Sequence, residues 1–229
     1  MIVRKRFHLA VGVVITVIGI SGPAAAQTVD QPDGPASEAG ESSALQAPNR
    51  MFGVLPNYST IERDGQATTL SVRDMLRLTA KNSFDPYVFP FVGASVGLGQ
   101  GGTSSFGNRY ATTFADNAIG NFMTSAIFPA MLHQDPRYYQ RGTGGVARRA
   151  AYSLSRTVVT RSLDGRRQFN YSEIAGNFTA GVLSNVYYSP ENQSVIGTLT
   201  RWGTQVMWDA VSNELKEFWP DIRNRLRKR

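Results

Sequence analysis

The chain lacks cysteine altogether, and this absence excludes several kinds of site. Without thiols there can be no disulfide, no thiolate zinc site, no cysteine nucleophile and no lipid-modified cysteine. Histidine is nearly as scarce, since the 229 residues contain only His8 and His133. A metal centre built from several histidines is therefore excluded as well. Charged residues make up only 18% of the chain, whereas the 41% of hydrophobic residues is enough for a folded core.

The first 26 residues have the pattern of a secretory signal peptide. A basic start at 4–6 precedes an apolar run over 9–20, and small residues follow up to Ala26. Twelve apolar residues span about 18 Å as a helix, which is less than the roughly 30 Å of a bilayer's hydrocarbon core. We therefore predict cleavage after Ala26, export, and residence in the periplasm with association to the outer membrane.

Residues 27–50 have a different composition from the segments on either side. They are rich in Gly, Pro, Ser and Ala, and they contain four acids, one base and no aromatic residue. Such a segment has too little apolar surface to bury, so we predict a disordered acidic spacer. The folded part is then expected over 51–229, where 20 bases and 13 acids give a net charge of +7.

Apolar residues in the folded part recur with the spacing of helices rather than with the alternation of strands. The clearest case is the stretch 195–219, where apolar residues fall on one face every three to four positions. Similar spacing, with capping residues and prolines, predicts further helices over 71–82, 109–133, 146–161 and 172–189. Pro220 is expected to interrupt the last helix before a short basic helix over 221–229. We therefore predict an all-α, single compact domain of about five to six helices.

One short sequence occurs twice with small changes. Residues 118–122 read Ala-Ile-Gly-Asn-Phe and residues 174–178 read Ile-Ala-Gly-Asn-Phe. Two copies of a helix-hairpin unit would explain the match, and so would chance, because five residues are few.

The stretch 86–108 contains no charged residue and many glycines. Gly93, Gly97 and Gly101 follow one another at four-residue intervals, so on a helix they would lie on one face. Such a face lets a second helix, from the same chain or another copy, approach closely. The apolar portion of the stretch, the fourteen residues 87–100, would span about 21 Å as a helix, which is too short to cross a bilayer. This portion can either pack inside the domain or insert partly into a membrane. A homo-oligomer formed through these glycines is the corresponding partner prediction.

The same glycines fit the G-x-S-x-G pattern of a serine hydrolase. In that alternative, Ser95 is the nucleophile, His133 the base and Asp116 the orienting acid. The chemistry requires a strand before the serine and a parallel sheet beneath it, which the pattern does not provide. A G-x-G-x-x-G match over 97–102 lacks a helix opening behind it, so we expect no dinucleotide and no other cofactor.

Arginine outnumbers lysine by twenty to four and is concentrated in two segments. The stretch 137–167 holds eight arginines and one acid, and 223–229 holds five bases and no acid. Arginine suits phosphate and carboxylate groups, and an exported protein meets these on membrane surfaces and envelope polymers rather than on nucleic acid. The residues predicted to contact such an anionic surface are Arg137, Arg141, Arg148, Arg149, Arg156, Arg223, Arg225, Arg227, Lys228 and Arg229.

Seven short motifs stand out along the chain, namely RMFGVLPNY at 50–58, SFDP at 83–86, FAD at 114–116, QDPRY at 134–138, SR at 155–156, GN at 176–177 and EFWPDI at 217–222. Together they resemble a family of exported bacterial proteins that has no characterised activity. The resemblance implies export and one folded unit over about 50–229, and it implies no catalytic residues.

These observations favour a non-catalytic protein of the cell envelope. We expect it to associate peripherally with a membrane or an anionic envelope polymer through its arginine-rich surface and tail. The alternative function is that of a small exported serine hydrolase using Ser95 and His133.

Overall fold

The computed structural model describes residues 50–62, 68–98 and 104–228, and these residues form the all-α fold that the sequence predicts. The predicted signal peptide, its cleavage site and the predicted spacer other than Arg50 lie outside the described residues. The helices are α1 (Val72–Ser83), α2 (Val88–Leu98), α3 (Phe106–Phe122), α4 (Phe128–Leu132), α5 (Val146–Ser155), α6 (Tyr171–Leu183) and α7 (Val195–Arg227). A π-helical turn (Met123–Ile127) joins α3 to α4.

The described residues also form seven short strands, which are β1 (Arg50–Met51), β2 (Leu55–Pro56), β3 (Thr60–Ile61), β4 (Gln134–Asp135), β5 (Tyr138–Tyr139), β6 (Val159–Ser162) and β7 (Arg167–Phe169). β1 pairs antiparallel with β2, and β3 pairs parallel with β5. The antiparallel strands β4, β6 and β7 make a small sheet with β6 in the middle.

Local sequence explains where the first helices begin. Ser71 and Asp74 form a capping box at the start of α1, so the predicted helix over 71–82 is confirmed. The side chain of Ser105 accepts a hydrogen bond from the N–H of Asn108, and α3 therefore begins three residues before its predicted start at Arg109. The π-helical turn directly precedes Pro129, whose missing N–H and bulky ring disfavour a regular helix there.

Three predicted helix ends are wrong. The helix predicted over 172–189 ends at Leu183, and a 3₁₀ turn (Ser184–Val186) follows it. The other two differences have clear physical reasons. The helix predicted over 146–161 ends at Ser155, because the run Thr157-Val158-Val159-Thr160 consists of β-branched residues that favour the strand β6. Pro220 does not interrupt α7, which continues to Arg227. The side chain of Gln140 donates a hydrogen bond to the carbonyl of Lys216, the oxygen that Pro220 cannot serve.

Helix α6 lies at the centre of the bundle, between the α3–α4 run and α7. Two glycines allow the close crossings. A Cβ atom at Gly176 would lie 3.1 Å from the backbone carbon of Met123, and one at Gly181 would lie 3.3 Å from the carbonyl oxygen of Thr198. Both neighbours run antiparallel to α6, so the start of α3, the end of α6 and the start of α7 lie at the same end of the bundle.

A buried carboxylate fixes the other end of α7. The Glu217 side chain is 0% exposed and accepts hydrogen bonds of 2.9 Å from Tyr138 Oη and from Arg149 Nε. The backbone N–H groups of Arg141 and Gly142 donate to the same carboxylate, also at 2.9 Å. One charged group therefore ties α5 and the segment after β5 to α7.

Replacement of Glu217 by alanine should destabilise the protein strongly. Arg149 would stay buried without its main partner, and breaking a buried pair in this way costs about 3–5 kcal/mol. Chemical denaturation of wild-type and Glu217→Ala protein measures the difference. As the matched control, Asp164→Ala removes an acid that pairs with Arg166 in an exposed turn, and its unfolding free energy should equal that of the wild type within error. Equal effects of the two substitutions would contradict the role assigned to Glu217.

The helix crossings lead to a second comparison of stabilities. A methyl group at Gly176 would press on the backbone of Met123, so Gly176→Ala should destabilise by about 1–3 kcal/mol. Gly203 lies on α7 with nothing within 4 Å of the corresponding Cβ position, so Gly203→Ala should stabilise by about 0.5–1 kcal/mol. Thermal unfolding of both variants tests this opposition, and a shift of the same sign in both would refute it.

Candidate functional site

The three residues of the hydrolase alternative do not assemble into a triad. Ser95 lies within α2 rather than on a strand-to-helix turn, and its Oγ donates to the carbonyl oxygen of Val92 at 2.8 Å. Both carboxylate oxygens of Asp116 accept 2.6 Å hydrogen bonds, one from Tyr187 Oη and one from Tyr188 Oη. His133 is exposed at the left-handed residue that ends α4. Among the described residues, no hydrogen bond joins Ser95, Asp116 and His133 to one another.

The glycines predicted to pack closely lie in less crowded places than expected. A Cβ atom at Gly93 would lie 3.6 Å from the ring of Tyr110, and one at Gly97 would lie 4.0 Å from Phe106, both ordinary contact distances. Gly101 lies outside the described residues. The tight crossings are those at Gly176 and Gly181. Gly176 belongs to one of the two similar pentapeptides, but the sequence did not indicate that a helix crossing lies there.

Several predicted surface arginines are engaged inside the protein. Arg149 is bound to Glu217, and Arg137 makes a 2.7 Å ion pair with Asp135 while its side chain is 7% exposed. Arg141 and Arg156 both contact one tyrosine, with their guanidinium carbons 5.8 and 5.7 Å from the centre of the Tyr152 ring. These side chains stabilise the fold, so counting them as free surface charge overstates the charge available to a partner.

The remaining predicted contact residues lie in and around the C-terminal half of α7. Arg223 is half-buried and reaches Glu62 at 3.3 Å. The exposed residues are Arg148, next to Arg149, and Arg225, Arg227 and Lys228 on and after the last turns of α7. Arg229 lies outside the described residues. We call these four exposed residues (Arg148, Arg225, Arg227 and Lys228) the basic end.

Helix α2 has one buried and one exposed apolar face. Val88, Val92 and Val96 recur every four residues and pack against Tyr110 and Phe114 of α3. Phe89 and Phe91 lie outside this core, and the ring of Phe89 stacks on that of Phe114 at a centroid distance of 5.1 Å while remaining partly exposed. The uncharged stretch around Gly93 therefore packs inside the fold on one side and presents aromatic rings on the other.

A second exposed apolar surface surrounds the connection between α6 and α7. Val186, Val195 and Ile196 are 84, 75 and 78% exposed, which is unusual for such side chains in a folded protein. A shallow groove of about 320 Å³ lies beside them, lined by Phe178, Val182, Leu199 and five further residues. Glu191 is the only charged residue in the stretch 174–200.

The two apolar surfaces lie at the same end of the bundle. Asp116 on α3 contacts Tyr187 and Tyr188 just beyond α6, and the helix continues from there about 15 Å back to its start at Phe106. The tip of the α2–α3 hairpin therefore extends past the end of α6. We call the following exposed residues the apolar end: Phe89, Phe91, Leu98, Phe106, Phe178, Val182, Leu183, Val186, Val195, Ile196 and Leu199.

A polar cluster lies between α6 and α7, midway between the two ends. The amide nitrogen of Asn177 donates to Glu173 Oε1 at 2.9 Å and to Asp209 Oδ2 at 3.0 Å, so it bridges two carboxyl groups. Desolvation and the charge of Asp209 raise the pKa of Glu173 well above its ordinary value. Burial lowers the pKa of Lys216, which faces the same two carboxyl groups.

Burial also shifts the pKa of a carboxyl group near the apolar end. It raises the pKa of Asp116, although the hydroxyl groups of Tyr187 and Tyr188 and the charge of Arg201 act in the opposite direction. The guanidinium of Arg201 lies 4.5 Å from the centre of the Tyr188 ring and donates to Asn185 and to the carbonyl of Asn192. These bonds hold the α6–α7 connection in place and leave its aliphatic side chains facing outward.

The sequence analysis singled out the uncharged stretch 86–108 around α2, but it did not single out the stretch that forms the α6–α7 connection. The lack of charge over 86–108 was an informative signal, and the stretch 174–190 lacks charge in the same way. The helical spacing of Ile174, Phe178, Val182 and Val186 predicts a buried face, whereas the structure leaves the last three exposed. Only the bundle topology shows that both stretches lie at one end.

No helix of the described residues is long and apolar enough to cross a membrane. Within the same residues, no group of three or more histidine, aspartate or glutamate side chains is placed to hold a metal ion. No protein family, curated protein or solved structure was found to match the chain. The resemblance to a family of exported proteins therefore stays a prediction, and the geometry of the two ends carries the functional argument.

The cluster around Glu173 predicts how stability depends on pH. Because the pKa of Glu173 is raised on folding, its contribution to stability is complete below the ordinary pKa of glutamate and is lost as the pH rises through the folded-state value. Glu173→Gln keeps an oxygen acceptor for Asn177 and cannot ionise. Denaturation at pH 5 and pH 8 should therefore show that the variant loses less stability than the wild type over this interval.

A matched control separates this effect from a general loss of negative charge. Glu214→Gln makes the same change on α7, and it should lose as much stability as the wild type between pH 5 and pH 8. Lower stability of Glu173→Gln than of the wild type at pH 8 would contradict the prediction, because it would mean that Lys216 and Asn177 favour the ionised carboxylate.

Proposed function

We propose that this chain is an exported, non-catalytic protein of the cell envelope that attaches peripherally to a membrane by its apolar end. The observation that carries the proposal is the division of the exposed surface. Eleven large hydrophobic side chains are exposed at one end, where the stretches 86–108 and 174–200 contain Glu191 as their only charged residue. The four exposed bases of the basic end lie around the C-terminal end of α7. Exposed hydrophobic side chains grouped at one end in this way are typical of a contact with lipid or protein.

The magnitude of the apolar contact is sufficient for membrane attachment. Full burial of a large aliphatic or aromatic side chain is worth about 1.5–3 kcal/mol, so a side chain that is half exposed can gain about 1 kcal/mol on entering lipid. Eleven such residues would supply roughly 10 kcal/mol before the cost of association. An association cost of about 5 kcal/mol would leave about 5 kcal/mol, which corresponds to a dissociation constant somewhat below 1 mM and thus to a reversible attachment.

The length of α2 favours insertion into the membrane interface rather than a helix that crosses the bilayer. Helix α2 has 11 residues and is therefore about 16 Å long, roughly half of the hydrocarbon thickness. Phe89 and Phe91 project from it, and Tyr87 lies exposed just before it, at the level where aromatic rings settle in membrane interfaces. The hairpin formed by α2 and the start of α3 can thus enter one leaflet while the rest of the bundle stays outside.

Export supports the choice of lipid as the partner. The pattern of the first 26 residues predicts passage into an envelope compartment, where membrane surfaces are abundant. The exposed bases at the basic end can bind anionic headgroups or polymers that approach that end, at about 1 kcal/mol for each residue near such a surface. The non-catalytic part of the proposal rests on Ser95 and Asp116, whose side chains make separate structural hydrogen bonds, and on His133, which no hydrogen bond joins to either of them.

Charges placed on the apolar end should weaken binding to vesicles. Val186→Asp and Ile196→Asp together replace two strongly exposed side chains, so the fold should be unaffected, whereas insertion into lipid becomes unfavourable. We expect the partition coefficient into neutral phosphatidylcholine vesicles to fall at least tenfold, which corresponds to about 1.4 kcal/mol. Co-sedimentation with vesicles of this composition measures the change.

The matched control places the same charges elsewhere. Met131 and Val146 are 69 and 73% exposed and lie outside the apolar end, so Met131→Asp with Val146→Asp should bind neutral vesicles like the wild type. Equal losses in both double variants would overturn the proposal. So would a wild-type chain that forms dimers in solution and ignores vesicles, because the apolar end would then be the interface between two copies.

A further inference from the structure

We infer that this protein bridges two surfaces, with its apolar end in one membrane and its basic end on a second, anionic lipid surface. The inference rests on the proposed function and adds to it that the two ends act on different surfaces. A peripheral protein that uses apolar and basic residues for the same membrane presents them side by side. Here the two kinds of residue are separated along the whole length of the longest helix.

Helix α7 sets the distance between the ends. Val195 and Ile196 begin it and belong to the apolar end, whereas Arg225 and Arg227 close it and belong to the basic end. Thirty residues of α-helix separate Val195 from Arg225, which corresponds to about 45 Å. The helix keeps this length because Gln140 and Arg149 donate hydrogen bonds to the carbonyls of Lys216 and Glu217, just before Pro220.

The distance exceeds the range of electrostatic attraction. At 0.1 M salt the Debye length is about 10 Å, so charges that stand about 45 Å from a bilayer are not attracted by it. A protein anchored by its apolar end therefore holds Arg225, Arg227 and Lys228 free for another anionic surface.

The arrangement of α7 also disfavours a flat orientation that would bring both ends onto one membrane. Its middle part packs on α5 and α6, and from Asp209 to Pro220 every residue is buried or half-buried. Glu217 and Trp219 are among the most buried side chains of the protein. No exposed apolar or basic stripe along this part of α7 joins the two ends within the described residues, so each end is a separate contact surface.

A vesicle-clustering experiment tests the inference with the predicted mature chain, which begins at Gln27. Neutral phosphatidylcholine vesicles carrying one fluorophore are mixed with vesicles containing phosphatidylglycerol that carry its energy-transfer partner. The wild type should bring the two populations together, and the transfer signal should fall steeply as salt rises from 0.05 to 0.5 M. R225Q/R227Q/K228Q should still bind neutral vesicles as the wild type does, but its clustering should fall at least tenfold.

The matched control removes the same charges from the side of the bundle. Arg73, Arg77 and Lys81 are exposed on α1, so R73Q/R77Q/K81Q has the same net charge as the tail variant and should cluster vesicles like the wild type. All variants lack the predicted signal peptide 1–26 and retain residues 27–49, so any contribution of residues 27–49 cancels in the comparison.

The outcomes separate the inference from the proposed function. Binding of the wild type to either vesicle population without clustering would overturn the bridge and leave the membrane attachment standing. Clustering of neutral vesicles with one another would overturn it too, because apolar ends would then be joining two copies of the chain. Absence of binding to both populations would overturn the proposed function itself.

Discussion

The buried carboxylate of Glu217 is the constraint on which the arrangement of the helices depends. Its donors come from β5, from the two residues Arg141 and Gly142, and from α5, so a single side chain on α7 orients three parts of the chain. A buried ion pair offsets its desolvation only when the geometry is complete. Arg149 completes it, because it also donates to the carbonyl of Glu217 at 2.6 Å and pairs with Asp221. The continuity of α7, and hence the separation of the two ends, follows from these contacts.

Two of the short sequence motifs also hold a carboxylate with donors from arginine and tyrosine, as Glu217 is held. Asp85 of SFDP accepts hydrogen bonds from Arg50 and Tyr58 of the first motif, at 2.9 and 2.7 Å. Asp135 of QDPRY is held by its neighbours Arg137 and Tyr139, and burial with this contact raises the pKa of Tyr139 to about 12. A carboxylate removed from water needs strong donors, which arginine and tyrosine supply. These motifs therefore mark structural pairs of a buried carboxylate with arginine and tyrosine.

The sequence predicted the elements that depend on local interactions and failed where distant residues decide. The spacing of apolar residues located the described helices except α2, which was not predicted as a helix, and the first was placed within a residue at each end. The path through Pro220 depends on Gln140, eighty residues earlier, and no local pattern contains that contact. The two similar pentapeptides turned out to meet, since Gly120 faces Asn177 while Gly176 faces Met123 at the crossing of α3 and α6. Their pairing was visible in the sequence only as a repetition.

The sequence is equally limited in predicting which charged side chains of the candidate site are exposed. A count of arginines cannot tell that Arg137 and Arg149 neutralise Asp135 and Glu217 inside the protein while Arg225 and Arg227 remain in solvent. Internal pairs of this kind leave the net charge unchanged but decide where it lies. The exposed bases that remain lie on α1, at the β6–β7 turn and, as the basic end, around the end of α7. The apolar end has little charge because the stretches that form it contain almost no charged residues. Helix α7 separates the apolar end from the basic end, so the two ends of the protein differ in their chemistry.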